Sequence, residues 1–255
     1  MRDAWLRGVA ADLRIGLLFS TRLPLSQATP ITGADIARAS WALPVIGTLI
    51  GLLGALIYGI AFYFELPPLV SSALAVGATL ASTGALHEDG LADTCDALGG
   101  GTRERKLEIM HDSRIGTYGA CALALSLMLR VGALASLAGP GPVALALIAA
   151  HASARAMMPL LLRLVPPARP DGLSADAGRP PPASVAVAAL LGFGLLLWSL
   201  GAARAMVALL LLLVAFGFMR RLCLRQIGGQ TGDTAGALEQ IGEIAVLLTV
   251  VAGHV

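Results

Sequence analysis

Long apolar runs alternate with short polar segments along this chain, and the length of the runs decides what they predict. A helix needs about 20 apolar residues to cross the hydrocarbon core of a bilayer. Trp41 to Phe62 and Pro67 to Leu86 are such runs with no charged residue. Gly116 to Leu137 is interrupted only by Arg130, and Pro142 to Leu162 carries His151 and Arg155. Ala183 to Met219 is too long for one crossing and breaks at Gly201-Ala202-Ala203-Arg204, so it predicts a hairpin of two helices. A last run, Leu238 to Gly253, is short and holds Glu239 and Glu243. The pattern predicts an all-α polytopic integral membrane helix bundle of about seven transmembrane helices. Six helices plus a re-entrant pair is the alternative for the C-terminal end.

Ahead of these runs, Asp3, Arg7, Asp12 and Arg14 leave no apolar stretch long enough for a signal peptide. Trp5, Val9, Leu13 and Leu17 recur every four residues, which suits an amphipathic helix lying in the headgroup layer, with a plain packed first helix as the alternative. The chain reads as a single membrane domain, 1–255. Within it lie an N-terminal amphipathic segment (1–40), an acidic loop (87–115), a Pro-rich loop (165–182) and a Gly-rich loop (220–237).

Composition agrees with the pattern. Hydrophobic residues make up 56% and charged residues 13%, against about 45–50% and 25% in soluble domains. The 30 glycines suit close helix packing in lipid. The basic residues are 17 Arg and one Lys, Lys106, without the basic stripe that nucleic-acid binding needs. Cys95, Cys121 and Cys223 are far apart and form no C-x-x-C pair, so neither a zinc cage nor a disulfide framework is expected.

Charge placement then orients the chain. With seven spans, fifteen basic residues fall on one side and only Arg204 on the other, while Arg130 and Arg155 lie within spans. Basic loops accumulate on the cytoplasmic side. The N-terminus and the acidic loop are therefore expected in the cytoplasm, in a multi-pass inner-membrane protein.

Acidic residues are sorted more sharply. Seven of the sixteen lie between His87 and Asp112: Glu88, Asp89, Asp93, Asp96, Glu104, Glu108 and Asp112. At 100° per residue, Asp89, Asp93 and Asp96 fall within about 60° on one helix face. Like charges so placed repel, which asks for a divalent cation, and Mg²⁺ takes oxygen ligands together with substrate phosphates. Gly99-Gly100-Gly101 and the cations Arg103, Arg105, Lys106 and Arg114 then suggest a diphosphate substrate. Arg103, Arg105, Glu104 and Glu108 also fit a solvated helix face. A second polar stretch, Gly228 to Thr234, lies on the same side. His151 and Arg155, one turn apart inside a span, are functional candidates because ionisable groups are costly there, a structural ion pair being the alternative.

The string His87-Glu88-Asp89-Gly90-Leu91-Ala92-Asp93-Thr94-Cys95-Asp96-Ala97, with Glu108 to Thr117, resembles the adenosylcobinamide-GDP ribazoletransferase (cobalamin synthase) family. Phe19 to Pro24, Pro44 to Gly47 and Gln230 to Ala237 extend the resemblance over nearly the whole chain. Ala97 stands where the family usually has Gly, and His111 where a basic residue is common. The resemblance implies transfer from adenosylcobinamide-GDP to α-ribazole or its 5′-phosphate, with release of GMP. It implies Mg²⁺ at Asp89, Asp93 and Asp96, with Glu88 as a further ligand, and Asp89 or Asp112 as the base. The expected substrate-binding set is Ser113, Arg114, Thr231, Gly232, Asp233, Arg155 and Arg22. A homo-oligomer or association with other cobalamin-assembly enzymes stays open. The alternatives are a cation-coupled transporter and a CDP-alcohol-type phosphotransferase.

Overall fold

A computed structural model describes residues 2–24, 26 and 30–252; the expected end of the last run at Gly253, and the side chain of Trp5, lie outside what it describes. No strand occurs among the described residues. The helices are α1 (Arg2–Ser20), α2 (Gly33–Ala39), α3 (Leu43–Tyr63), α4 (Pro68–Thr83), α5 (Leu86–Ala97), α6 (Arg103–Ile109), α7 (Thr117–Leu137), α8 (Pro140–Leu164), α9 (Leu173–Ala177), α10 (Pro182–Leu222) and α11 (Gly232–Val251).

Five stretches are long and apolar enough to cross a membrane: Gly33–Tyr63, Thr117–Leu137, Pro140–Leu164, Pro182–Ile227 and Gly232–Val251. A sixth candidate is α4 with α5, long and apolar enough only when taken together and meeting at a bend of 89°. Helix α4 ends at Gly84, and α5 turns sharply away beyond it. Gly84 (φ 66°) and Ala85 (φ 55°) take the left-handed conformation that makes so sharp a turn.

The 46-residue stretch holds two crossings, because Gly201 (φ 73°, ψ 167°) breaks it. Its halves run in opposite directions. Ser184 donates to the Arg38 carbonyl at 2.9 Å, and Gly192 lies over Ala152 and Ala156. Beyond the break, Arg204 shares a groove with Thr249 and Ala252, and Leu212 reaches Gly242. The expected hairpin is thus present within that stretch.

Helices α8 and α11 are buried over most of their length and form the centre, while α3, α7 and α10 turn Leu56, Met128, Leu190 and Leu210 outward. Without a hydrophobic drive between helices in lipid, small residues let backbones meet. Gly47 and Gly51 press on the carbonyls of His151 and Leu147, where a Cβ would fall at 2.2 and 2.8 Å. The final turns of α1 dock on α3 through Gly16 and Ile46. Asp12 accepts from Arg38 Nε (3.0 Å) and Trp41 Nε1 (2.9 Å), while Leu6 stays exposed.

The Pro-rich loop is ordered. Gln230 N donates to the Pro166 carbonyl and Ala168 N to the Gln230 carbonyl, both at 2.8 Å. Arg103, expected on a solvated face, instead ties both loops, donating to the carbonyls of Ile227 (2.8 Å) and Ala168 (2.7 Å). The acidic loop itself is mostly helical, as α5 and α6, and α11 begins at Gly232 rather than Leu238.

Candidate active site

The acidic face of α5 forms as its spacing predicts. Gly90, Leu91, Thr94 and Ala97 are buried, which leaves Asp89 exposed and Asp93 and Asp96 half-buried on the other side. What completes the site is the crossing of α5 with the first turn of α11. Gly90 faces the Asp233 backbone, and Gly236 faces the backbone of His87 and Gly90. Two helices meeting glycine on glycine approach closely, and this brings Asp233 against the carboxylates of α5. Burial and the charges of Asp89, Asp233 and Asp96 push the Asp93 carboxyl up to about 7.

Asp233 Oδ2 is buried without a hydrogen-bond partner among the described residues. An unpaired buried acceptor costs about 1–3 kcal/mol, so Asp89, Asp93 and Asp233 fit a hard cation bound through oxygen. Asp96 shares their face but has other duties. Its Oδ2 accepts from Gly116 N at 2.7 Å and its Oδ1 from Gly119 N at 2.8 Å, capping the start of α7. The dipole of that helix favours the negative charge.

Several expected site residues sit elsewhere. Glu88, expected as a further metal ligand, lies one residue, about 100°, from Asp89 and is buried in the bundle, where Arg130 takes its carboxylate at 2.9 Å. Arg155 is wholly buried and does not face the site surface. Thr231, expected to bind substrate, is buried as the cap of α11, its hydroxyl accepting from Thr234 N at 3.2 Å. Asp112 pairs through both oxygens with Arg114, which holds its carboxyl near 2 and makes it a poor base. Ser113 and Arg114 stay exposed on the loop beside Gly116, and Gly232 lines a cavity next to Asp233. Arg22 lies over Gly84 at the bend into α5, its backbone N–H donating to the Ser82 carbonyl at 2.8 Å. Arg169, which sequence reasoning missed, lines the same cavity as Asp89 and Asp233. Its place in a Pro-rich loop gives no periodic signal.

Below the face lies a buried network. Arg130 Nη1 also reaches Glu243 Oε2 at 3.3 Å, and Arg155 Nη1 reaches Glu243 Oε1 at 2.8 Å. Arg155 further pairs with Glu239, and His151 with Glu243. His87 Nδ1 lies 3.2 Å from Glu239 Oε2, and Gln240 Nε2 donates to the same oxygen at 3.0 Å. His151, Glu239 and Glu243 place ligand atoms within 4.8 Å of one another. A guanidinium nitrogen of Arg155 already contacts all three, so the cation there is arginine. The network pins the start of α5, through His87 and Glu88, to α7, α8 and α11.

Residues 12–251 match the family described as Cobalamin-5-phosphate synthase. The chain belongs to that family. It is 58% identical over 248 residues to the adenosylcobinamide-GDP ribazoletransferase of Bradyrhizobium diazoefficiens, covering 97% of this chain and 95% of that one. The protein of the same name from Mesorhizobium japonicum is 50% identical over 243 residues (95% and 93%), and that from Azorhizobium caulinodans 48% over 252 (95% and 96%). No solved structure matches. As a family member spanning nearly the full length of these relatives, this multi-pass helical chain carries its acidic face in the segment that the family resemblance singles out.

Proposed function

We propose that this protein is an Mg²⁺-dependent adenosylcobinamide-GDP ribazoletransferase. The observation that carries the chemistry is the Gly90–Gly236 crossing, which sets Asp233, its Oδ2 unpaired among the described residues, beside the helix that carries Asp89 and Asp93, close enough for its charge to raise the Asp93 carboxyl. Because α-ribazole 5′-phosphate keeps its phosphate in the product, the nucleophile is another ribose hydroxyl. That oxygen forms a bond to the phosphorus on the corrinoid side of the diphosphate, the bond from that phosphorus to the bridging oxygen breaks, and GMP leaves with the electron pair. Asp89, exposed at the face, accepts the hydroxyl proton.

Mg²⁺ held by Asp89, Asp93 and Asp233 would neutralise charge on the diphosphate and on departing GMP. Asp96 keeps α7 and the 111–116 loop against the face, so that Ser113 and Arg114 border the phosphates. The basic loops support a cytoplasmic site in the inner membrane, with fifteen cations on its side.

The test is detergent-purified protein with adenosylcobinamide-GDP, α-ribazole and Mg²⁺, following GMP and the joined corrinoid. Asp89→Asn and Asp93→Asn each lose turnover while remaining folded. Absence of product from the wild-type protein overturns the reading, and full activity in both variants removes the metal site.

A further inference from the structure

Beside the carboxylates lies a cavity of about 220 Å³ that the roles above leave unused. Its apolar walls come from α1, α2, α3 and α8: Phe19, Ile36, Ala37, Leu43, Met158 and Leu162. Its polar walls come from α5, α11 and the Pro-rich loop: Asp89, Asp233 and Arg169. Two polar atoms at this boundary, Asp233 Oδ2 and Arg169 Nη1, are buried without a hydrogen-bond partner among the described residues. Such atoms are normally satisfied, so the wall is built for a ligand with one apolar and one polar part.

Resting on the reaction proposed above, we infer that this cavity receives the ribazole acceptor. Its dimethylbenzimidazole base lies among the apolar walls, and its ribose and 5′ position face Asp89, Asp233 and Arg169. Three ligand parts compete for the space, and chemistry separates them. Guanine carries more hydrogen-bonding groups around its edge than the few further polar side chains of these mostly apolar walls, Ser40, Ser174 and His87, would pair. The corrinoid is far too large, since drug-sized ligands already take about 300–1,000 Å³. A flat bicyclic base with two methyl groups matches both size and polarity. Arg169 then becomes a specificity residue, because its guanidinium meets a 5′-phosphate but finds no charge on the unphosphorylated nucleoside.

The experiment is steady-state kinetics on the full-length protein in detergent, with each substrate varied in turn. Ala37→Phe, which fills the apolar end, raises KM for α-ribazole about tenfold or more, leaves KM for adenosylcobinamide-GDP within about twofold, and shifts selectivity toward the riboside of unsubstituted benzimidazole. Met158→Ala enlarges the cavity and shifts selectivity the other way, toward bulkier 5,6-substituents, which keeps the test open should Ala37→Phe misfold. Arg169→Gln raises KM for α-ribazole 5′-phosphate by about tenfold and for α-ribazole by no more than about twofold.

An active wild-type enzyme whose Ala37→Phe and Met158→Ala variants keep both KM values and the base selectivity overturns the assignment. So does a co-purifying phospholipid that Ala37→Phe displaces without changing the kinetics. A wild-type protein that turns over neither acceptor instead overturns the reaction on which the inference rests.

Discussion

Replacing Gly90 with alanine should disable the enzyme through geometry alone. A Cβ built on Gly90 falls 2.7 Å from the Asp233 carbonyl oxygen and 3.0 Å from its Cα, where ordinary contact begins at 3.4 Å. The Asp233 backbone must therefore retreat by about 0.7 Å, and the obstacle is main chain, which cannot swing aside as a side chain would. Neither helix yields easily. The start of α5 is tied through Glu88 to Arg130, and the first turn of α11 is closed by the Thr231–Thr234 capping box, with Gln230 bonded to Pro166. Overpacking of this kind costs about 1–3 kcal/mol of stability. A displacement near 1 Å among reacting groups costs about 100-fold in rate. Gly90→Ala should lower kcat/KM for GMP release by about 100-fold and weaken the apparent Mg²⁺ affinity, while the melting temperature falls only modestly. Gly236→Ala, whose Cβ meets His87 Cα at 3.2 Å, should be milder. Gly77→Ala, with no atom within 4 Å, should be neutral. A Gly90→Ala enzyme within about threefold of wild type, with an unchanged Mg²⁺ requirement, would refute the view that this crossing sets the site.

Two further outcomes follow from the charges. The Asp93 carboxyl sits at about 7 in the folded, metal-free protein, above its ordinary 3.8, so folding favours the protonated form. Stability is therefore lost as pH rises from about 4 through about 7. Melting temperature in chelator should fall between about pH 5 and pH 8, and added Mg²⁺ should raise it more at the higher pH; an equally steep profile in Asp93→Asn would remove Asp93 as the cause. Arg130→Met leaves Glu88 and Glu243 without one of their cations and should cost about 3–5 kcal/mol, read as lost thermal stability, with partial recovery in Arg130→Met/Glu88→Gln. An unchanged melting temperature in the single variant would show that the pair carries no stability.

The crossing segments were legible because a bilayer imposes one requirement, a continuous apolar run, that sequence displays directly. The hairpin was legible for a related reason, since Gly201 interrupts a run too long for one pass. The order of the 165–182 loop was not. Its partners, Gln230 and Arg103, lie about 65 residues away along the chain, and periodicity reports only what one element does with itself. Arg103 looked solvated because its helix offers it acidic neighbours, whereas its bonds go to carbonyls of two other loops.

The same limit divides the site. Helical spacing placed Asp89, Asp93 and Asp96 together, but it could not reveal that the backbone of Gly116 and Gly119 occupies Asp96, nor that Asp233 joins from another helix. Nor could it separate Glu88 from Asp89, adjacent residues whose surroundings are opposite. Glu88 is held among arginines, in a network where each carboxylate has a cation, because charge inside a membrane bundle persists only when compensated there. Among the described residues, Asp89, Asp93 and Asp233 meet no such partner in hydrogen-bonding contact. The protein thus spends its two intramembrane arginines on fixing α5 in place and leaves the adjoining carboxylates with Arg169 in their cavity wall, so that their remaining mutual repulsion is what a divalent ion and its diphosphate ligand would relieve.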